Sequence, residues 1–361
     1  MSITTAPKEL PKDRITTLDG FRCICILWVM LCHYFVAYTP NETGTDFYPF
    51  HERFVHIALI RYGHLGVQCF FIISGFVIFM TLEKTKNIKQ FVIKRFIRLW
   101  PTLFICSIIT FITLSIIPYN GLRPDIFSFL PSLTITQPYI WNRYFGINTH
   151  FLDSVEWTLV IEVSFYAISS ILYFTNKKSF FNNWLIYLTV LIALHFAIQP
   201  LGKTKLNYWL ELYLFPTLMV YFAAGMYLYM LYEKRALKLI HHLIVAVLVV
   251  VQLVFWQNIV EDIFILAFLG LFFLFVYKPK AISFLSNGIV TKIGLWSYSI
   301  YLIHNWVGIA LINKFSVLFK TDSPVLIILP TVVIVAILVV VIEALAKALT
   351  DKIIKPILSR L

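Results

Sequence analysis

Apolar residues in this chain neither alternate nor fall on a single helical stripe. They come in blocks of about 20 residues, the length needed to cross a bilayer as an α-helix. Ten such blocks stand at 17–38, 60–81, 99–118, 155–174, 183–199, 209–231, 239–256, 262–277, 290–312 and 323–346. This pattern predicts an all-α membrane protein, a polytopic bundle of about ten transmembrane helices. Two links between blocks are long. Pro40–His56 is polar, whereas Tyr119–Asp153 holds Tyr139, Trp141, Tyr144 and the apolar run Ile126–Leu133. Part of the second link is expected to lie in the interface or fold back over the bundle. The reading divides the chain into a segment 1–14, a membrane domain 15–346 and a tail 347–361, with no repeat and no appended soluble domain.

Composition excludes a soluble enzyme. The chain is 60% hydrophobic and 13% charged, where a soluble domain carries about 25% charge. The formal charge of +12 is explained by the positive-inside rule, and no nucleic-acid partner is implied. With the N-terminus inside, the inner links and tails hold 20 Lys and Arg and the outer links hold eight. Both termini are therefore expected in the cytoplasm. The first fourteen residues are polar and the block after them is long enough to span, so no cleavable signal is expected. Cys23, Cys25, Cys32, Cys69 and Cys106 all sit in apolar runs. That argues against a disulfide framework, and none of them has zinc-ligand spacing.

An ionisable group near the middle of a membrane costs about 2.5–3.5 kcal/mol, so such groups usually mark function. The first block, LDGFRCICILWVMLCHYF, holds Asp19, Arg22 and His33. Asp19 can pair with Arg22 one turn on. Arg22 and His33 project from nearly the same face, roughly 16 Å apart along the axis. Snorkelling of Arg22 and a structural role for His33 would explain this spacing equally well. The run GHLGVQCFFIISGF places Ser74 and Gly75 in the second span, where small residues also serve helix packing. In KNIKQFVIKRFIRLWP, Arg95 and Arg98 share a helix face. Topology alone demands basic residues there, and a clamp for an anionic ligand is the alternative, since guanidinium forks suit phosphate. In EWTLVIEVSFY, Glu156 falls at the outer interface. Glu162 lies about 10 Å inside and needs a partner, and Tyr166 is one turn further along. In GLWSYSIYLIHNW, Ser297, Tyr301 and His304/Asn305 form one stripe, with His304 at the depth of His33. Glu343 and Lys347 are expected to pair with each other, and His64, His195 and Glu211 are read as structural.

Five motifs in this order, LDGFR with a following His, the FFIISGF run, KRFIRLWP, EWTLVIEVSFY and SYSIYLIH, resemble acyltransferase family 3. These are bacterial membrane-bound acyltransferases, many of which O-acetylate cell-surface polysaccharides. The resemblance covers residues 15 to about 306. It implies a multi-pass protein of the cytoplasmic (inner) membrane that takes an acyl group from cytoplasmic acetyl-CoA. The implied acceptor is a sugar hydroxyl of O-antigen, capsule or exopolysaccharide, or of a lipid-linked precursor. Arg22 and His33 match the first-span Arg and His of the family, Arg95 and Arg98 its RxxR motif, and Ser74, Gly75 and Phe76 its SGF motif. Glu162 matches its fourth-span acid, and Tyr301 and His304 its late Tyr/His motif. Gln68 stands where many relatives have Asp. Some relatives continue into an extracellular hydrolase-like domain, so here transfer falls to the membrane part or to a partner.

The resemblance thus implies His33, Glu162, Arg22 and His304 as catalytic candidates and Arg95, Arg98, Ser74, Gly75 and Tyr301 as acetyl-CoA-binding candidates. His33 would act as general base or as a transient acyl carrier, oriented by Glu162 if the two helices touch. No metal is required, because the thioester is already activated. A transporter or flippase of a lipid-linked glycan is the rival reading. It would suit buried Arg, His and Glu, but the chain lacks the repeats and paired broken helices such proteins show.

Overall fold

A computed structural model describes residues 15–36, 51–117, 124–201, 205–256 and 258–359. Most of the Pro40–His56 link lies outside these residues, as do Lys8, Lys12, Arg14, Arg123, Lys203 and Arg360 of the charge count. The described residues form helices and connecting turns, without a strand among them. In chain order the main helices are α1 (Thr16–Phe35), α2 (Gly66–Glu83), α3 (Ile88–Ile116), α4 (Trp157–Thr175), α5 (Phe180–Ile198), α6 (Pro216–Tyr232), α7 (Leu239–Trp256) and α8 (Ile259–Tyr277). Then follow α9 (Gly288–Leu295), α10 (Ser297–Ile303), α11 (Trp306–Phe319) and α12 (Pro324–Leu349). Among the described residues, eight helices are long and apolar enough to cross a membrane, and the bent pair α10–α11 makes nine. The block expected at 239–256 is the shorter apolar helix α7.

Local sequence sets the helix starts. The Asn87 side chain accepts from the Gln90 N–H before α3, and Asn258 and Glu261 form a capping box before α8. Each cap satisfies amides that have no partner inside the helix. Pro101 sits within α3, as membrane helices tolerate when neighbours satisfy the freed backbone groups.

The expected continuous span 290–312 is instead three helical pieces, with α10 and α11 bent by 56°. The cause is a side chain from elsewhere. Asp153 accepts the Trp306 N–H at 2.9 Å and the Asn305 amide at 2.6 Å. These bonds replace helix continuity at Asn305, whose backbone sits at φ −73°, ψ −89°. Glu343, expected to pair with Lys347, accepts from Ser299 across α10 and α12.

Small residues set the closest helix contacts. A Cβ at Gly75 would overlap the Phe222 backbone, and a Cβ at Gly225 would overlap the Ile72 backbone, so α2 and α6 touch main chain to main chain. Aromatic rings fill the space around them. Phe165 stacks on Phe222 at 4.0 Å and Phe21 on Phe272 at 4.6 Å. Apolar side chains also cover the outside, among them Val247, Val250 and Val254 on α7 and Val325, Leu329 and Val333 on α12. Such a surface suits lipid and not water. The described part of the 119–153 link folds back as short helical turns. Trp100 donates to the Leu133 carbonyl and the Leu152 N–H donates to Ser132.

Substituting Gly75→Leu is expected to cost about 1–3 kcal/mol or more by overpacking. Gly270→Ala, where an added methyl meets no neighbour within 4 Å, is expected to change stability by less than about 0.5 kcal/mol. Thermal unfolding of the two variants in detergent tests the contrast.

Candidate active site

Three helices bring charge to one place. On α1, Arg22 donates to Asp19 at 2.9 Å, one turn away as the spacing predicts. On α3, the Arg95 guanidinium lies over the rings of Phe91 and Tyr166 and donates to Thr81 at 3.3 Å. Its buried Nε has no hydrogen-bond partner. On α4, Glu162 accepts from Ser74 at 2.9 Å and from the Tyr166 hydroxyl. The Glu162 carboxylate is also within electrostatic reach of both Arg22 and Arg95.

These groups line a cavity of about 90 Å³ walled by Arg22, Ser74, Arg95, Arg98, Glu162, Tyr166, Tyr298 and Tyr301, with Phe70 and Phe71 among its apolar surfaces. A second cavity of about 300 Å³, bounded by Ile15, Asp19 and Leu295, shares Arg22, Val77 and Arg98 with the first. The two arginines therefore stand where one chamber meets the other. At the opposite end, the buried Tyr301 closes the cavity beside Thr158. The hydroxyls of Thr158 and Tyr301 are 3.1 Å apart, and Tyr301 also donates to the Val155 carbonyl at 3.3 Å.

Behind Tyr301 lies a histidine pair. The Tyr301 and His304 rings are 5.6 Å apart, and His304 stacks on His33 at 5.0 Å. His304 Nδ1 is 2.8 Å from the Tyr301 carbonyl, and its Nε2 is 3.0 Å from His33 Nδ1. A carbonyl only accepts, so His304 carries its proton on Nδ1. With both rings neutral, His304 Nε2 then accepts from His33 Nδ1. That leaves the basic lone pair of His33 on Nε2. The Asn305 side chain also contacts His33. Asp153, only 1% exposed, holds Asn305 in turn.

The structure brings Arg22, Arg95, Arg98, Ser74, Glu162 and Tyr301 to one cavity and places His33 and His304 against each other just beyond it. Two expectations are corrected. Glu162 does not orient His33, because it is bonded to Ser74 and Tyr166 among the arginines, and His304 holds the position at His33. Gly75 does not face the cavity, because it forms the backbone contact with α6. Glu156, expected at the outer interface, is buried, and one of its carboxylate oxygens has no partner. His195 pairs with Glu211 at 2.8 Å and His64 lies 3.7 Å from Glu261. All five cysteines are buried and free. Asp153 escaped the sequence reading because it sits in a link that looks like exposed loop. Its only signal was that a carboxylate directly precedes a span.

A sequence profile described as an acyltransferase domain matches residues 15–344 of the chain. The chain belongs to acyltransferase family 3. Curated proteins similar to this chain include the following two. Acyltransferase MdmB from Streptomyces mycarofaciens is 27% identical over 179 residues, covering 46% of this chain and 41% of its own length. Nodulation protein 10 from Rhizobium leguminosarum bv. viciae is 30% identical over 114 residues, covering 28% of this chain and 30% of its own length. The chain thus aligns with less than half the length of either relative. No solved structure matches. Family membership and the apolar helices make this a multi-pass membrane protein of that family.

Replacing Glu162 by Ala removes the carboxylate that faces two arginines and two hydroxyls. The expected loss is about 1–3 kcal/mol of stability, with a smaller loss for Glu162→Gln, which keeps the hydroxyl contacts. Thermal unfolding in detergent without ligand checks both.

Proposed function

We propose that this acyltransferase moves an acetyl group from acetyl-CoA to a sugar hydroxyl of a cell-surface polysaccharide or its lipid-linked precursor. It does so in the bacterial cytoplasmic membrane, with both termini inside. The observation that carries this reading is the row of groups from Arg22 and Arg98 along the cavity to Tyr301, with the histidine pair packed behind Tyr301. Arg22, Arg95 and Arg98 suit the phosphates of CoA by charge and by fork geometry. The buried, unpartnered Nε of Arg95 supports a role for an anion there. Ser74, Tyr166 and Tyr298 offer hydroxyls along the pantetheine arm, and the thioester reaches Tyr301 at the far end.

The chemistry then needs one base. The acceptor oxygen attacks the thioester carbonyl carbon while its proton passes to Nε2 of His33. The carbon–sulfur bond breaks, and the CoA sulfur leaves with the electron pair and takes the proton from His33. A positioned base of this kind contributes about 10²–10⁴-fold. His304 fixes the tautomer that makes Nε2 basic, and Tyr301 separates the donor cavity from the histidines until the acyl group arrives.

The test uses cells lacking the native gene that express wild type, His33→Ala or Arg98→Ala at matched membrane levels. Surface-glycan O-acetylation is read by NMR, and transfer from labelled acetyl-CoA is read in isolated membranes. His33→Ala is expected to lose at least 100-fold in transfer. Arg98→Ala is expected to raise the KM for acetyl-CoA at least fivefold with a smaller effect on kcat. Full acetylation by His33→Ala would overturn the role of His33. Absence of label transfer by wild type to any glycan would favour a transporter.

A further inference from the structure

The face of α1 that carries Arg22 also carries Ile26 and Val29, four and seven residues on, and then His33. The two side chains between the polar ends are apolar and fully buried. They form a small cluster of their own with Val155 and Tyr301, and Val67 and Phe70 of α2 pack against it. Val67 and Phe70 also line the cavity, as do Thr158 and Tyr301. The Phe70 and Tyr301 rings meet edge to face at 6.2 Å. The cavity therefore ends, on the side of the histidines, at a wall of branched and aromatic side chains. Its hydroxyls, those of Thr158 and Tyr301, are 3.1 Å from each other.

This wall has little room to give. A Cβ at Gly66, next to Val67, would overlap the Cys25 carbonyl oxygen and a Val29 methyl, so α1 and α2 already touch there. Val29, Val67 and Val155 branch at Cβ and have few rotamers to retreat into. Side chains of this kind suit a short alkyl group and offer a phosphate or a sugar nothing to bond with. We propose that Phe70 and Val67 set the length of the acyl group that is transferred, because they form the wall that the end of the acyl chain meets. This rests on the reading of the cavity as the acyl-CoA site. The arginines then hold one end of the donor and the wall limits the other, so each added methylene has to be pushed into packed side chains. A pocket of this type discriminates by about 10–200-fold per methylene.

The test follows transfer to the native glycan in membranes holding the full-length protein, with labelled acetyl-, propionyl- and butyryl-CoA as donors. The readout is kcat/KM for butyryl-CoA divided by kcat/KM for acetyl-CoA. A purely structural loss lowers both and leaves this ratio where it was. Wild type is expected to favour acetyl over butyryl by about tenfold or more, and Phe70→Ala to raise the ratio by about tenfold. Val67→Ala is expected to raise it by about threefold, and Val67→Phe, which thickens the wall, to lower the propionyl-to-acetyl ratio by about threefold. Should Phe70→Ala fail to accumulate, Phe70→Leu takes its place with an expected rise of about threefold. Wild type that uses butyryl-CoA as well as acetyl-CoA overturns the inference, and so does a ratio unmoved by the variants at both Phe70 and Val67. A wild type that transfers label from none of the three donors sinks the acyl-CoA reading of the cavity, and the inference with it.

Discussion

Charge carried into a bilayer has to be answered there, and the helices of this protein are arranged around that requirement. Arg22 on α1, Arg95 on α3 and Glu162 on α4 are each expensive alone. Packed together they offset part of that cost, helped by Asp19, Ser74, Thr81 and Tyr166. The arrangement leaves more positive than negative charge around the cavity, because Arg98 adds a third guanidinium at its mouth. A site so charged in the absence of ligand is suited to an anion that brings its own negative charge. The main-chain contact of α2 with α6 at Gly75 and Gly225 supports it by holding α2, and so Ser74, at a fixed distance.

The second constraint is the broken helix. A straight helix through 290–312 would carry Asn305 and His304 on a continuous ladder. Asp153 takes the Trp306 amide and the Asn305 side chain, and α10 and α11 separate at that point. The break lets His304 turn its Nδ1 to the Tyr301 carbonyl and its Nε2 to His33. Non-helical backbone at membrane depth is tolerated where protein buries it, and Asn305 and His304 are fully buried. Irregular backbone and histidine pair are thus two results of one carboxylate.

Much of this was legible in the sequence. Span-length apolar blocks gave the helical architecture because hydrophobic length is a direct readout of bilayer thickness. Arg22, His33, Arg95, Arg98, Glu162, Tyr301 and His304 stood out because polar groups inside such blocks are conspicuous. What pairs with what was not legible. Glu162 and His33 had matching depths, yet depth says nothing of which helices are neighbours, and Glu162 faces arginines. Gly75 could be read as a packing residue or as part of a ligand motif, and the approach of Phe222 shows that it serves packing. Asp153 was hidden by its position in a link, where a carboxylate normally meets water.

The most direct test of the account is a structure of the purified protein in lipid nanodiscs with a non-hydrolysable acetyl-CoA analogue. The account predicts phosphates against Arg22 and Arg98, the pantetheine arm along Ser74 and Tyr166, and the acyl carbonyl beside Tyr301 and within reach of His33. Phosphates bound away from the arginines, or an acyl group that stops in the cavity with Tyr301 and the histidine pair walled off from it, would contradict it.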